Sequence, residues 1–337
     1  MTMDDSSDSN HPIDVVIAWV DGNDPLLTAK RRSYLQGDSS NISSGAHSTR
    51  FASTNEIRYC VLSIFRFAPF VRNIFIVTDG QDPGLYGDIQ TYFPERLKSV
   101  RVVDHTEIFE GFEDYLPTFN SISIASMIWR IKGLSDSFVY FNDDTFLIRQ
   151  MQPEDWFINR KPVIRGKWIP APLLRVLYGH IREFIKKQLL GDSAFQPRAS
   201  FHMGQWHSAA LLGFRYRYFS NSHTPHTVDR KKIEWFFERR SDLLKKNISS
   251  RFRDYNQFTF ISLSNHLQLL DGNRHVARPG LAYLKPFNRP ENYIDKKISF
   301  CENNPAIKFM CVQSLDMCSN EDQKKLFGWL EKILQLR

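Results

Sequence analysis

Short apolar runs that end in Asp recur along the first half of this 337-residue chain, at 13–20, 74–77, 100–103 and 138–141. Runs of this kind, bounded by turn residues, are typical of strands buried on both faces of a parallel sheet. A helical pattern beginning after Thr54 or Asn55 separates the first two runs, and a second occupies 121–132. The alternation predicts an α/β fold with a doubly wound sheet.

Acidic residues follow each predicted strand. Crossovers of one hand bring the carboxyl ends of parallel strands to a single sheet edge, where ligands bind at the switch point. We therefore expect the following carboxylates to lie along one edge: Asp21, Asp79, Asp104, Asp143 and Asp144.

Asn142, Asp143 and Asp144 come directly after the fourth strand. Adjacent carboxylates at the end of a buried strand need a partner for their charge. A hard cation, Mg²⁺ or Mn²⁺, that bridges a diphosphate would supply it. The alternative is an ordinary turn in which these side chains satisfy local backbone donors.

The first strand ends in Trp19-Val20-Asp21-Gly22. Here Asp21 could accept hydrogen bonds from a base or ribose, and Gly22 would allow close approach of the backbone. Neither GxGxxG nor GxxxxGK[ST] is present, so the sequence indicates neither dinucleotide nor P-loop binding. An ordinary strand-end turn remains the alternative.

The stretch 223–231 combines His223 and His226 with Asp229, Arg230 and Lys231. A histidine near an acceptor hydroxyl can act as a general base, and cations can take developing phosphate charge. A two-histidine metal site and a surface loop are the alternatives. Arg251, in the run Arg-Phe-Arg-Asp, and Arg58 could also hold phosphate oxygens, although such arginines are often simply solvated.

Beyond residue 150 the pattern becomes mainly helical, with candidate helices at 173–190, 229–246, 254–270 and 320–336. We predict a flexible tail (1–12), a donor-binding core (13–160), a mainly helical catalytic and acceptor lobe (161–299) and a C-terminal segment that packs back on the core (300–337). The helix 173–190 sets Arg175 and Arg182 against Leu174, Leu177 and Ile181. Core packing is expected for its apolar side, with a membrane surface or an anionic glycan as the alternative.

Composition narrows the function classes only partly. A net charge of +7 favours polyanionic partners. Because no nucleic-acid-binding motif accompanies this charge, we expect the protein not to bind nucleic acid. A polar, acidic start and the lack of a roughly 20-residue apolar segment predict a cytoplasmic protein, with peripheral association at the inner membrane face left open. The four cysteines are expected to be reduced thiols.

Four blocks of the sequence resemble the Stealth family of bacterial capsule phosphotransferases. The blocks are IDVVIAWVDGNDP (13–25), 50–81 with its continuation at 116–147, HTPHTVDR (223–230) and the chain from FCENNP (300) onward. The resemblance implies a Rossmann-like nucleotide-sugar transferase core. It also implies transfer of a hexose-1-phosphate, commonly N-acetylhexosamine-1-phosphate, from a UDP-sugar to a sugar hydroxyl of a capsule acceptor, with release of UMP.

The resemblance also assigns site residues. Asp143 and Asp144 match the family's metal-associated pair, His226 its essential histidine, and Arg251 its catalytic arginine. Other motif positions, which imply donor binding, are Asp21, Gly22, Asn55, Glu56, Arg58, Asp79, Asn120 and Ser121.

The chain departs from the family at Ala125, where a glutamate is common. We expect acceptor attack on the β-phosphorus, with His226 as base and with Arg230, Arg251 and the Asp144 region as charge stabilisers. The alternatives are a glycosyltransferase that releases UDP and a non-catalytic protein that binds anionic glycans.

Overall fold

The computed structural model describes residues 11–35, 54–174, 176–178, 181, 185, 188 and 200–336. The predicted tail (1–12) and the Ser-rich loop predicted at 37–54 fall outside these residues, apart from their last positions. Within the described ranges, no helix is both long enough and apolar enough to cross a membrane. All four cysteines are free thiols, as predicted.

The strands share the short lengths that their apolar runs indicate. They are Ile13–Ala18 (β1), Val71–Thr78 (β2), Val100–Asp104 (β3), Ser137–Asn142 (β4), Thr145–Leu147 (β5), Phe157–Ile158 (β6), Lys161–Pro162 (β7), Ile164–Pro170 (β8), Arg217–Asn221 (β9), His226–Asp229 (β10), Val276–Ala277 (β11), Leu281–Leu284 (β12) and Phe309–Val312 (β13).

The helices whose bounds are defined are mostly short and amphipathic. They are Pro25–Ser33 (α1), Glu56–Phe67 (α2), Tyr86–Tyr92 (α3), His105–Ile108 (α4), Ser121–Ala125 (α5), Phe201–Leu211 (α6), Arg230–Arg239 (α7), Ser241–Ile248 (α8), Phe260–Leu270 (α9), Tyr293–Asn303 (α10) and Asn320–Leu334 (α11).

The central sheet has the strand order β10-β4-β1-β2-β3. Strands β1 to β4 run parallel, whereas β10 is antiparallel to β4. The order 3-2-1-4 is that of half a Rossmann fold, with the switch point between β1 and β4. The prediction of a Rossmann-like α/β fold is therefore confirmed.

Each face of this sheet is buried, which explains why its strands are apolar at nearly every position. Val15 and Ile17 pack into one core, which contains most of α2, whereas Val16 packs into a second core with helices α7 and α8. Asp14, fully buried between them, pairs with Arg72 at 2.6 Å. Paired in this way, a buried carboxylate at the start of β1 is tolerated.

The C-terminal part of the chain returns to the first half. β13 pairs antiparallel with β5, and α11 contacts α2. In the intervening region, helix α6 packs on α9 and on β9, which pairs antiparallel with β8. These contacts hold β9, and the residues between β9 and β10, next to the central sheet.

Two details of the predicted helices are wrong. The helix expected over 121–132 is shorter, since it ends at Ala125 and is followed by a separate 3₁₀ turn at 128–130. In that turn the Trp129 ring nitrogen donates to the carbonyl of Ser126. The helix expected at 173–190 does not bury its apolar side, since Leu174 is 84% exposed and Leu177 and Ile181 are exposed as well. Arg175 and Arg182 lie outside the described residues.

Candidate active site

A cleft of about 650 Å³ opens at the carboxyl edge of the central sheet, where β1 and β4 lie side by side. Ligands bind at this switch point in open α/β sheets. Among the residues that the sequence predicts for the site, those that line the cleft are Glu56, Asp79, Ser121, Asp143, Asp144 and His226. The sheet therefore brings together side chains that are up to 170 positions apart in the sequence.

The turn between β4 and β5 carries the central carboxylates. Burial raises the pKa of Asp144 to about 6, and it raises the pKa of Asp143 well above its usual value. The charge of Asp144 and then that of Glu56 raise the pKa of Asp143 further. Three carboxylates thus repel one another in a poorly solvated place, which is the electrostatic environment that a cation relieves.

Glu56 is oriented by the residues just before α2. Its carboxylate accepts hydrogen bonds from the Thr54 backbone N–H at 2.5 Å and from the Thr54 hydroxyl at 2.8 Å. Helix α2 begins at Glu56, directly after Asn55, which is one of the two starting positions that the sequence predicts. Asn55 occupies the cap position with φ of 71°, outside the extended region usual for such a residue, and its side chain makes no cap hydrogen bond.

The donor set at the cleft fits a divalent cation that is shared with a substrate. Within the described ranges, no three His, Cys, Asp or Glu side chains surround a common point in the way a closed protein site requires. Mg²⁺ is commonly held by one or two carboxylates and completes its shell with water and phosphate oxygens. Asp143 and Asp144 match that requirement.

His226 is the first residue of β10 and lies opposite Tyr140 of β4. The residue is only 8% exposed, and burial lowers the pKa of its imidazole to about 3, with smaller contributions from His223 and Arg165. The imidazole is therefore neutral at physiological pH and able to accept a proton. An anionic ligand in the cleft would raise this pKa, because opposite charge favours imidazolium.

The arginines are placed differently from what the sequence alone indicates. Arg253 lines the cleft, where its guanidinium donates to the hydroxyl of Ser121 at 2.5 Å. Arg251 does not line it. Its guanidinium donates to the carbonyl of Pro117 at 2.8 Å and lies 4.8 Å from the centre of the Tyr34 ring.

Arg230 also stands apart from the cleft lining, at the start of α7. Its guanidinium pairs with Asp136 at 2.8 Å and with Glu234 at 3.3 Å. The pair with Asp136 ties α7 to the turn before β4, whereas the pair with Glu234 lies within α7. The structure thus gives Arg230 a contact at the start of β4, away from the cleft.

Several predicted donor-binding residues have local partners outside the cleft lining. Asp21 accepts from the Asn23 N–H at 2.9 Å, the Gly22 carbonyl accepts from Thr28, and Arg58 pairs with Asp88 at 2.7 Å. Asn120 is fully buried and donates to the Phe252 carbonyl at 3.0 Å.

Asp79 does line the cleft and pairs with Lys30 at 2.7 Å. The ion pair connects α1 to the end of β2. A charged pair therefore borders the cleft at the end of β2, three strands away from the strand β10 that carries His226.

Five further cleft residues have buried polar atoms without a protein partner in the described part of the chain. They are the ring nitrogen of Trp19, Nδ1 of His105, the hydroxyls of Thr118 and Thr259, and the side-chain oxygen of Asn221. Buried polar groups are normally satisfied, so such atoms facing a cleft are available to a ligand. Sequence reasoning missed these groups, although His105 directly follows β3 and the strand-end rule would have found it.

Ala125, the position at which the resemblance leads us to expect glutamate, also lines the cleft. Its methyl group belongs to the core beneath α5. The departure therefore changes the cleft itself and removes a carboxylate that a glutamate side chain would add there.

The fold and site define an α/β protein with an acidic, ligand-accessible cleft at the switch point of a Rossmann-like sheet. The chain belongs to the Stealth family. Its residues 11–39 and 50–164 match Stealth protein conserved regions 1 and 2. It is also 30% identical over 327 residues to the capsular polysaccharide phosphotransferase WcwK of Streptococcus pneumoniae, covering 93% of each chain.

Other similarities are partial or distant. The exopolysaccharide phosphotransferase SCO6021 of Streptomyces coelicolor is 42% identical over 152 residues, which are 45% of this chain and 26% of that protein. The chain thus spans about a quarter of the length of that relative. The galactosyltransferase LgtC, solved with donor and acceptor sugar analogs, aligns over 96% of this chain and 94% of its own, with 12% identity and a TM-score of 0.41.

Proposed function

We propose that this protein is a polysaccharide phosphotransferase that moves an (N-acetyl)hexose-1-phosphate from a UDP-sugar to a sugar hydroxyl of a surface glycan. The observation that carries the proposal is the meeting of Asp143, Asp144, His226 and Arg253 in one cleft at the switch point. Membership of a family whose relatives are named capsular and exopolysaccharide phosphotransferases supports the same chemistry.

The reaction joins the acceptor oxygen to the donor's β-phosphorus and breaks the bond between that phosphorus and the bridging oxygen of UMP. His226 accepts the proton of the acceptor hydroxyl: its imidazole is neutral, and the phosphate charges of a bound donor raise its pKa toward the range that a general base needs. The products are a sugar phosphodiester and UMP, which carries the electrons of the broken bond.

Negative charge on the phosphate oxygens is the main obstacle to such a transfer, and positioned cations lower the barrier by stabilising that charge. Arg253 is the cleft guanidinium placed to meet phosphate oxygens, so we assign it the role that the family resemblance gives to Arg251. Asp143 and Asp144 would hold Mg²⁺ or Mn²⁺, which neutralises charge on the diphosphate when bound.

The donor's nucleoside is assigned to the cleft side formed by β1, β2 and β3, where Trp19, Asp79 and His105 lie. Their hydrogen-bonding groups suit a base and a ribose. The acceptor is assigned to the opposite side, next to His226.

The test is chromatography of the nucleotide product after incubation of the purified protein with UDP-N-acetylglucosamine, Mg²⁺ and a capsule oligosaccharide. We expect UMP, formed only with acceptor present. UDP as the product would instead establish glycosyl transfer, and donor binding without turnover would indicate a glycan- or nucleotide-binding protein.

A further inference from the structure

An apolar helical side is exposed beyond the end of β8. The side chains of Leu174, Leu177, Tyr178, Ile181 and Ile185 are all exposed and all belong to helical residues. At about 100° per residue they fall within one arc of roughly 100° on a helix. Amphipathic helices normally bury such a side, and an apolar patch left in water marks an interaction surface.

The opposite side of this helix faces the protein. Val176, which lies about half a turn away from Leu174, packs against the cluster formed by Met203, Trp206, Ala209 and Tyr218. The helix is thus anchored through Val176, and the exposure of Leu174 follows from its orientation.

The neighbouring antiparallel strands β8 and β9 carry exposed aromatic and cationic side chains. Tyr216, just before β9, is 81% exposed, and its carbonyl accepts from the N–H of Ala171 at 2.8 Å, which ties the start of β9 to the start of the helix. Trp168, with the Arg217 guanidinium 4.7 Å from its ring centre, is exposed on the other face of the strand pair, because it is Ile169 and Tyr218 that pack with Val176. A Tyr next to cations is typical of membrane–water interfaces.

We call the docking face the surface formed by the exposed helical side chains and Tyr216 together with two exposed cations. Its members are Lys167, Leu174, Leu177, Tyr178, Ile181, Ile185, Arg215 and Tyr216.

The surrounding sequence is strongly basic. Residues 156–228 contain eleven Lys and Arg but only two acidic residues, Glu183 and Asp192. Because the whole chain carries only +7, the remainder is net acidic, and the positive charge is concentrated in the segment that contains the docking face. Basic charge beside an exposed apolar helix attracts anionic lipid headgroups.

We propose that the docking face binds the surface of a membrane that contains anionic phospholipid. The charges favour this occupant over a second copy of the chain, because two such faces would bring the cations Lys167 and Arg215 of one copy close to those of the other. The apolar side chains enter the boundary between headgroups and acyl chains, while the cations contact lipid phosphates.

Docking has a consequence for the cleft. Helix α6 contributes Phe201 and Gly204 to the acceptor side of the cleft, while its Met203 and Trp206 pack with Val176 of the exposed helix. One helix thus connects the cleft to the docking face, so a membrane there favours acceptor glycans that are held at the membrane. This consequence rests on the proposed function, whereas the binding itself does not.

Co-sedimentation of the full chain with vesicles tests the proposal. We expect binding to vesicles of phosphatidylcholine mixed with phosphatidylglycerol, at least about tenfold weaker binding to phosphatidylcholine alone, and weakening by salt. The variant Leu174→Glu/Leu177→Glu should lose at least about tenfold in binding. Phe300→Glu, at a helix position on another surface that is 45% exposed, should bind like the unmodified protein.

Failure of the wild-type chain to bind anionic vesicles, or equal binding by Leu174→Glu/Leu177→Glu, would overturn the proposal. So would light scattering that shows a dimer which this variant dissociates, because the surface would then be a contact between copies. Lys167→Gln/Arg215→Gln leaves the apolar residues in place and should reduce only the salt-sensitive part of binding.

A parallel assay separates this proposal from the proposed function. Leu174→Glu/Leu177→Glu should release UMP with a water-soluble acceptor at the wild-type rate. If the wild-type chain binds vesicles but neither it nor the variant releases UMP, the proposed enzyme activity is contradicted and the docking face is supported. If the wild-type chain releases UMP but does not bind vesicles, the docking face is contradicted and the proposed function is supported.

Discussion

His226 lies directly opposite Tyr140 across the antiparallel pair β10–β4, at the sheet edge where Asp143 and Asp144 follow β4. The pairing of β10 with β4 therefore fixes the candidate base beside the turn that carries both candidate metal-binding carboxylates. Relative positions set by backbone pairing are more rigid than positions set by loops, which is what positioning of reacting groups requires.

Replacing His226 tests the proposed base. His226→Gln should lower kcat by about 10²–10⁴-fold while the KM for the UDP-sugar changes little, because proton removal affects the transition state and not donor binding. Steady-state kinetics of UMP release measure both constants. His275→Gln, outside the cleft lining, is the matched control, and an unchanged kcat in His226→Gln would remove the residue from the mechanism.

The two arginines of the 251–253 segment should behave differently. Arg253→Gln is expected to lower kcat/KM by about 10²–10³-fold, because its guanidinium is the one at the cleft. Arg251→Gln should instead lower the free energy of unfolding by about 1 kcal/mol, through loss of its contacts with Pro117 and Tyr34. Kinetics and urea unfolding of both variants decide the assignment, and the reverse pattern would favour Arg251.

The carboxylate pair should bind the divalent cation. Mg²⁺ is expected to raise the Tm of the wild-type protein, because it relieves the repulsion among Asp143, Asp144 and Glu56. In Asp144→Asn this increase should shrink, and kcat should fall by about 10²–10³-fold. Asp242→Asn, at an exposed ion pair with Arg240, is the control for loss of an acidic residue. A full Mg²⁺ response in Asp144→Asn would contradict the assignment.

His266 should make stability depend on pH. Its Nε2 accepts from the Phe219 N–H at 3.0 Å, Nδ1 lies 2.6 Å from the Ser262 carbonyl, and burial lowers the pKa to about 4. The unfolded chain therefore binds a proton below about pH 6.5 that the folded chain refuses until about pH 4, so acid destabilises the fold.

Urea unfolding at two pH values measures this effect. From about pH 7.5 to about pH 5 the wild-type protein should lose about 2 kcal/mol more stability than His266→Gln. Equal losses in the two proteins would show that His266 does not titrate as its surroundings indicate.

The sheet and its acidic edge could be predicted because they depend on local patterns. Apolar strands that end in Asp place Asp79, Asp143 and Asp144 at one edge in any parallel sheet. The resemblance to the Stealth family added His226, for which residue spacing alone had left alternatives open.

The choice between Arg251 and Arg253 could not be predicted, because it depends on which side of an irregular segment faces the cleft. The exposure of Leu174 and its neighbours was missed for a related reason. An amphipathic pattern shows that a helix has an apolar side, but it does not show whether protein, lipid or water covers that side.

The most direct test of the central claim uses a UDP-N-acetylhexosamine labelled in its β-phosphorus, with a capsule oligosaccharide as acceptor. If the protein transfers hexose-1-phosphate, the label enters the glycan as a phosphodiester in equal amount with unlabelled UMP. His226→Gln should then nearly abolish the transfer. Label that remains with the nucleotide as UDP while the sugar moves to the acceptor would contradict hexose-1-phosphate transfer.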